Sequence, residues 1–507
     1  MRQAEHLFSL GVVSVSGESS ARTRIRDAAL ERFGRDGVNR VTVRAIAADA
    51  GVSPALVVHH FGSKRARRVG RGQEGARIMK ALIVTHGTRG DVQPYVALAH
   101  ALREAGHDVL LGAPEGSASL AQPYGVPFAP LSDDLNDMDD PEVRRAIETN
   151  YRGLRGKLTA VRLMARAKAE LRMVYDEIAA VPADDVDIVV HPINSPVRHL
   201  AEKLGVPAVA VGLQPGWVPT RSFPSPMIPF GIPKALNRTS YRVNGLVLRA
   251  LVASGARWRT ETLGLPRRPH QNDALRAPDG RPVTMLQAFS EHILPTPVEY
   301  PSWTHTTGFW FLPATQGWTP SERLSTFLDA GDPPVHIGFG SMAGTEPARV
   351  GRIVTDAARL AGVRAVLVTG WGGIDALIDT DRVLILDQAP HDWLFPRMAA
   401  IVHHGGGGTT AAALASGRPQ VVCPFVADQP YWGRRTKASG VAPEPLPQRR
   451  LTAENLADAI RRATTDTAMS ARAAELGTRI RDENGVRNAV ALLERLVPAA
   501  GRGSDRA

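Results

Sequence analysis

The chain has 507 residues, is 43% hydrophobic, carries a net charge of +11 and contains one cysteine. That length supports two large domains with room for a small third, and a lone Cys423 excludes a disulfide framework and fits a reducing cytoplasm. No uninterrupted apolar run approaches the ~18 residues of a membrane span, and the opening twenty residues lack the apolar core of a signal peptide, so the sequence reads as cytoplasmic.

The charge is uneven. Residues 1–78 hold 14 Lys+Arg against 7 Asp+Glu, which leaves only +4 for everything after them. Such asymmetry marks a nucleic-acid-facing piece joined to a nearly neutral body. After a disordered stretch at 1–19, residues 20–65 form a small helical unit. Ile25, Ala28, Ala29 and Phe33 make a helical stripe, and Thr42 caps a second short helix. Gly51 turns the chain and Ser53 caps a third helix, giving a helix-turn-helix. The run VTVRAIAADAGVSPALVVHHFGSK closely resembles the DNA-binding domain of the TetR family of regulators. That resemblance implies Thr42, Arg44, Ser53 and His59 at the DNA, with Lys64 on a phosphate. TetR proteins continue into a helical dimerising domain, but here a Gly/Arg-rich linker follows at 66–78. A recognition helix without its dimer partner loses the second half-site and keeps the salt-sensitive phosphate attraction. The segment reads equally as a residual fused fragment or as sequence ahead of a start at Met79.

From Met79 the pattern alternates between strands and helices. Ala81–Val84 is a buried strand, GTRGD at 87–91 a loop, Val92–Ala105 a helix and Asp108–Gly112 a strand. Further strands are expected at 187–191 and 208–212, and helices at 141–150, 155–180 and 196–204. Residues 214–275, rich in Pro and Trp, read as loops and an amphipathic helix (Tyr241–Trp258) walling an acceptor cleft, or as a surface helix pairing with another subunit. Five prolines between Pro295 and Pro320 mark a connection between domains. Alternation resumes with strands at 335–339, 364–369, 383–386, 399–402 and 420–423, helices at 346–361 and 452–464, and a final helix at 468–498. The layout is α/β: two doubly wound Rossmann-like domains facing a cleft, at 79–300 and 331–498, joined by a connection at 301–330 and ending in a tail at 499–507.

The most informative stretch is IVHHGGGGTTAAALASGRPQVVCPFVADQPYWGR at 401–434. An apolar strand runs into a His pair, four glycines and a helix expected from Thr409. Bare N–H groups and the positive end of a helix make such a turn a phosphate holder. Asp428 and Gln429, at the mouth of the next strand, supply an acid and an amide for hydroxyls. A diphosphate holder beside a hydroxyl holder describes a nucleotide-sugar site.

The combination His-His-Gly-Gly-x-Gly-Thr-Thr with Pro-Phe-x-x-Asp-Gln-Pro resembles the donor signature of the UDP-glycosyltransferase superfamily, closest to its sterol and antibiotic-aglycone glucosyltransferases. The resemblance implies a GT-B fold: 79–300 binds the acceptor and 331–498 the donor. It implies His404 on the β-phosphate, backbone N–H groups near Gly408 and Thr409 on the α-phosphate, Ser341 beside them, and Asp428 and Gln429 on the sugar. His403 reads as packing. Where plant-type relatives stack a Trp on the uracil, this chain has Gln388-Ala389-Pro390-His391, which makes Gln388 and His391 the candidates at the base and leaves UDP against TDP open. Asp91, in Gly90-Asp91-Val92-Gln93-Pro94, stands where many relatives carry a catalytic His, and is read as the general base; the plain alternative is a helix cap. His86 is the second candidate base. Asp-x-Asp triplets at 137–139 and 379–381 read as solvated loops, and no metal is expected. The implied activity is inverting transfer of a hexose from a UDP-sugar to a hydroxyl of a lipophilic acceptor. The competing reading is a DNA-binding regulator whose body senses nucleotide-sugars.

Overall fold

The structure, a computed structural model, describes residues 28, 43–52, 78–133, 171–183, 185–228, 231–277, 279–295, 297–315, 317–340, 347–369 and 380–497. Thr42, Ser53, His59, Lys64 and Ser341 lie outside them, as do the helix expected at 141–150 and most of that at 155–180. Compact units form at 1–77 with 499–507, and at 78–498.

In the first unit one helix is described, α1 (Val43–Ala50), which includes Arg44. It ends where the sequence demands. Gly51 takes a left-handed φ of 63° and its N–H reaches the Ala48 carbonyl at 3.2 Å.

The second unit carries two parallel sheets. The first contains β1 (Lys80–Val84), β2 (Asp108–Pro114), β3 (Phe128–Leu131), β4 (Ile188–Pro192), β5 (Ala208–Gly212), β6 (Thr284–Gln287) and β7 (Thr304–Thr306), in the order β3-β2-β1-β4-β5-β6-β7. The second contains β8 (Val335–Gly338), β9 (Ala365–Val368), β10 (Val383–Leu386), β11 (Ala400–His403) and β12 (Gln420–Val422), in the order β10-β9-β8-β11-β12. Both are doubly wound, as expected. Their short strands are apolar on both faces because helices cover both sides, and Val335–Gly338 and Ala400–His403 are buried throughout.

In the first half, helix α2 (Arg89–Glu104) follows β1, α3 (Arg198–Leu204) follows β4, and α4 (Asn237–Ala253) with α5 (Ala256–Glu261) fills the span between β5 and β6. In the second half α6 (Glu322–Asp329), α7 (Pro347–Ala361), α8 (Gly407–Ala415), α9 (Gln429–Ala438), α10 (Ala453–Thr465) and α11 (Thr467–Asp482) pack round the sheet, and α12 (Gly485–Leu496) ends it. The expected single helix at 468–498 is two, because Asn484 adopts a left-handed φ of 54° that no helix accommodates. The break redirects the chain. Ala489, Val490 and Leu493 of α12 are buried in the core of the first half, with Tyr95, Val96 and Trp310. Glu494 meets His107 Nε2 at 3.0 Å.

Strand β7 and helix α6 lie in the proline-rich stretch read as connection only. A three-residue edge strand is too short to leave an alternation in sequence. Beneath the two sheets the halves share an apolar cluster with Phe223, Tyr241, Phe289 and Phe309 on one side and Leu414, Trp432 and Ile480 on the other. The guanidinium of Arg435 also donates to the Ile293 carbonyl at 2.7 Å.

Candidate functional site

Each sheet reverses strand order between its first and fourth strands: β1 lies beside β4, and β8 beside β11. A doubly wound sheet opens its ligand crevice at that switch, beyond the carboxyl ends of the strands. The loop after β1 (86–88) and the turn after β11 (404–406) occupy those two places.

On the first-half side, Gly87 has φ 124°, closed to other residues, and a Cβ there would sit 2.5 Å from Asp91 Oδ2. The backbone thus wraps tightly over the carboxylate. Helix α2 begins at Arg89, earlier than the Val92 read from sequence, so Asp91 is the third residue of the first turn. Its Oδ2 accepts the Thr88 N–H at 2.9 Å and the Thr88 hydroxyl at 3.1 Å. The cap reading of Asp91 holds, and it does not conflict with the base reading, since one oxygen serves the helix end and the other is left for a ligand. Asp91 is exposed to solvent, yet it stands within a protein-lined recess whose desolvation raises its pKa, while the Thr88 hydrogen bonds pull the other way. His86 is half-buried. Its Nε2 lies 3.1 Å from the Ser132 carbonyl, which can only accept, so Nε2 carries the proton and Nδ1 keeps its lone pair. Burial lowers its pKa.

Across the gap, α8 starts at Gly407, two residues before Thr409, with Gly406 as N-cap and no side chain capping the end. The N–H groups of Gly407, Gly408 and Thr409 are therefore left for a ligand, with the helix dipole behind them. Gly405, at φ 88°, brings this floor against Val422 and Gln429. His403 is fully buried and packing, as read. It accepts the Gly405 N–H on Nδ1 at 3.1 Å, which fixes Nε2 as the donor to Gln420 Oε1 at 2.8 Å. His404 lies between two glycines: a Cβ on Gly340 would be 3.3 Å from its Cε1, and one on Gly406 would collide with its Nε2. Burial drives its pKa down to about 3, so the ring is neutral, and its buried Nδ1 has no hydrogen-bond partner. A neutral imidazole with an unmet polar atom beside a bare helix end is fitted to donate to an anion, at no cost in buried charge. Gly406 has φ −60°, which alanine accepts, so Gly406→Ala tests the imidazole alone. It should lower donor affinity about tenfold or more while the melting temperature stays within a few degrees, read by donor titration and thermal melts.

Asp428 occupies the N-cap position of α9 without a side-chain capping bond; its Oδ2 instead accepts the Trp432 indole N–H at 2.8 Å, leaving Oδ1 for a hydroxyl. Ala427 before it is held at φ 56°, a strained left-handed value for a non-glycine residue. The Gln429 carbonyl oxygen is already engaged by the N–H groups of Phe425 (2.8 Å) and Val426 (3.2 Å), so the amide NH2 is the end left for a ligand. Of the base-site candidates Gln388 is exposed, whereas His391 stacks on Phe395 at 4.3 Å and burial lowers its pKa to about 4.

Two electrostatic couplings join the halves. Burial raises the Asp428 pKa first, and the facing charge of Asp91 adds to it; the Arg89 guanidinium helps depress that of His391. The sequence did not single out Trp432, Gly340, Gly87 or Arg89. Only Trp432 left a signal, four residues after Asp428 on one helix face.

Three family models match: the glycosyltransferase family 28 N-terminal domain at 81–220, the erythromycin biosynthesis protein CIII-like C-terminal domain at 374–489, and the bacterial regulatory proteins of the tetR family at 25–66. The chain is 35% identical over 432 residues to the O-mycaminosyltylonolide 6-deoxyallosyltransferase of Streptomyces fradiae, covering 82% of this chain and 97% of that protein. It is 32% identical over 436 residues to a sterol 3-beta-glucosyltransferase of Arabidopsis thaliana, covering 83% of this chain and 66% of that one. It spans 30% of the length of the sterol 3-beta-glucosyltransferase of Emericella nidulans. In fold it is similar to the glycosyltransferase VinC in complex with DTDP (TM-score 0.57, 21% identity, 83% of this chain and 99% of that one). It is likewise similar to SnogD from Streptomyces nogalater (TM-score 0.56, 21% identity, 83% of this chain and all of that one). These likenesses establish the GT-B fold, and the sequence identities establish that the chain belongs to the glycosyltransferase family of the sterol 3-beta-glucosyltransferases and the antibiotic 6-deoxyallosyltransferase.

Proposed function

We propose that the chain transfers a hexose, glucose from UDP-glucose, to a hydroxyl of a lipophilic acceptor with inversion at the anomeric carbon. Asp91 takes the proton from the acceptor hydroxyl, and the oxygen attacks the anomeric carbon from the face opposite the diphosphate. The bond to the diphosphate breaks and its oxygen leaves with the electron pair. His404 and the N–H groups of Gly408 and Thr409 stabilise that charge, and Ser341 is assigned to the same phosphates by the resemblance. Asp428 and the Gln429 amide hold the sugar, and Gln388 with His391 border the nucleotide base. A single displacement inverts the centre, and the scheme needs no metal.

The observation that carries this reading is that Asp91 and the uncapped N-terminus of α8 lie just beyond the carboxyl ends of β1 and β11, where the two sheets switch strand order. The sterol substrate in the relatives' names supports a lipophilic acceptor, and the DTDP in the name of VinC keeps thymidine diphosphate sugars in the donor panel. The test is incubation with UDP- and TDP-sugars and a panel of sterols, macrolides and flavonoids, with product mass and anomeric configuration measured. A β-linked hexoside from an α-linked donor is expected; retention at the anomeric centre would refute the displacement. His404→Ala should cut turnover by about 10²–10³-fold, the usual cost of one donor to a developing charge, at unchanged melting temperature.

The tetR-family match at 25–66 favours a second role, DNA binding through Thr42, Arg44, Ser53, His59 and Lys64. Specific gel retardation at physiological salt supports it; retardation that vanishes at that salt reduces it to phosphate attraction.

A further inference from the structure

Helix α4 buries one face, with Tyr241, Asn244, Leu248 and Val252 against the first half. At 100° per residue, Leu236 just before it and Val243, Leu246 and Val247 along it fall together on the opposite side. There they are 50%, 53%, 66% and 39% exposed, and Met227 in the preceding loop is 56% exposed. Scattered exposed apolar groups need no account; a continuous stripe on one helix does. The same spacing sets Arg238, Arg242 and Arg249, all exposed, in a row along one border of the stripe. No Asp or Glu occurs between Glu202 and Glu261, although the body after residue 78 is nearly neutral. At the end of that row, Arg249 enters a cavity of about 610 Å³ that Arg267, Arg268 and His270 also line. Asp273 offsets part of that charge, 3.5 Å from Arg249, and Glu202 lies 3.4 Å from Arg268.

We propose that α4 docks on an anionic phospholipid bilayer, its apolar stripe in the boundary between headgroups and acyl chains. Lipid phosphates then lie on Arg238 and Arg242 and in the cavity at Arg249. An apolar stripe, a bordering cationic row and an acid-free span suit a surface offering hydrocarbon and phosphate together. An antiparallel pairing of two copies through α4 fits poorly, because its twofold axis would set one arginine row against the other. No described helix is long and apolar enough to cross a membrane, so the contact is with one face only. The inference goes beyond glycosyl transfer and is read out without it.

The experiment is co-sedimentation of the full chain with vesicles of phosphatidylcholine alone or mixed with phosphatidylglycerol, over a salt series. The protein should pellet with the mixed vesicles and release as salt rises. Val243→Asp with Leu246→Asp should lower that partition by about tenfold or more. Arg238→Gln with Arg242→Gln should lower it several-fold on anionic vesicles. Every variant keeps the basic residues 1–78, so differences report α4. Far-ultraviolet melts confirm folding, and Leu246→Ser serves if the aspartates unfold the chain. Equal binding to neutral vesicles, no binding at low salt, or full binding by the variants overturns the proposal. So does a fall in oligomeric state of the apolar variants on size exclusion without change in vesicle binding, which assigns the stripe to a protein contact.

Discussion

Asp91→Asn will turn over about 10²–10⁴ times more slowly than the parent enzyme, the range expected when a positioned base is lost. The amide is the same size, and its oxygen can still accept the Thr88 N–H that Asp91 Oδ2 accepts at 2.9 Å, so the start of α2 survives. What disappears is basicity. In the proposed mechanism Asp91 serves the acceptor hydroxyl, so the loss should fall on kcat more than on donor affinity. The pH profile carries a second signature. Desolvation raises the Asp91 pKa above the ordinary carboxylate value, so the acidic limb of the parent profile should lie above that value, and the variant should lack the limb. Initial rates of UDP release from pH 4 to 8 decide it. If Asp91→Asn keeps the parent rate and His86→Ala abolishes it, the base is His86, whose Nδ1 lone pair is the alternative.

Acidification will unfold the protein steeply from just below pH 6.5. Burial lowers the pKa of His191, His391 and His403 to about 4, and of His199 and His404 to about 3. An unfolded chain protonates these rings near 6.5, whereas the folded one leaves them neutral. Their contribution is therefore complete above pH 6.5 and is lost as pH falls from there towards 4 and then 3. Each fully mismatched ring costs about 1.4 kcal/mol per pH unit, so several acting together are comparable with a domain's whole stability of about 5–15 kcal/mol. Glu483 opposes them, since burial lifts its carboxyl to about 7 and its contribution grows as pH falls from 7 to its unfolded value. The raised carboxyls of Asp91 and Asp428 oppose them too, while His86 and His336, also lowered by burial, add to the five rings. Urea midpoints between pH 7.5 and 4.5 test the slope. A flat midpoint down to pH 5 would show that these rings are hydrated in solution.

The sequence carried the strands and the crevice further than it carried contacts. Strands such as Ala400–His403 and Val335–Gly338 announce themselves because a parallel strand is apolar on both faces, and a glycine run followed by threonines leaves little choice but strand, turn and helix. The edge strands β3 and β7, and β6 next to β7, leave no such mark. Helix starts were off where the true N-cap is a residue type common elsewhere: Thr88 in place of Asp91, and Gly406 in place of the residue before Thr409. The Gln429 amide illustrates the remaining limit. Sequence supplies the group, but only the fold reveals that its carbonyl is already bound to the loop behind it. Likewise, Gly340 and Gly406 matter through the ring wedged between them, a relation between residues 66 positions apart that periodicity does not encode.

Helix α12 has a consequence for the order in which this protein is made. Its Ala489 and Leu493 are wholly enclosed in a core otherwise built from β1, β2, α2, β4 and β5, with Leu286 and Trp310. On the ribosome that core emerges early and waits with an open seam through the synthesis of the entire second half. The half translated first is sealed last, so during translation its unsealed apolar seam is where a chaperone, or a neighbouring nascent chain, finds purchase.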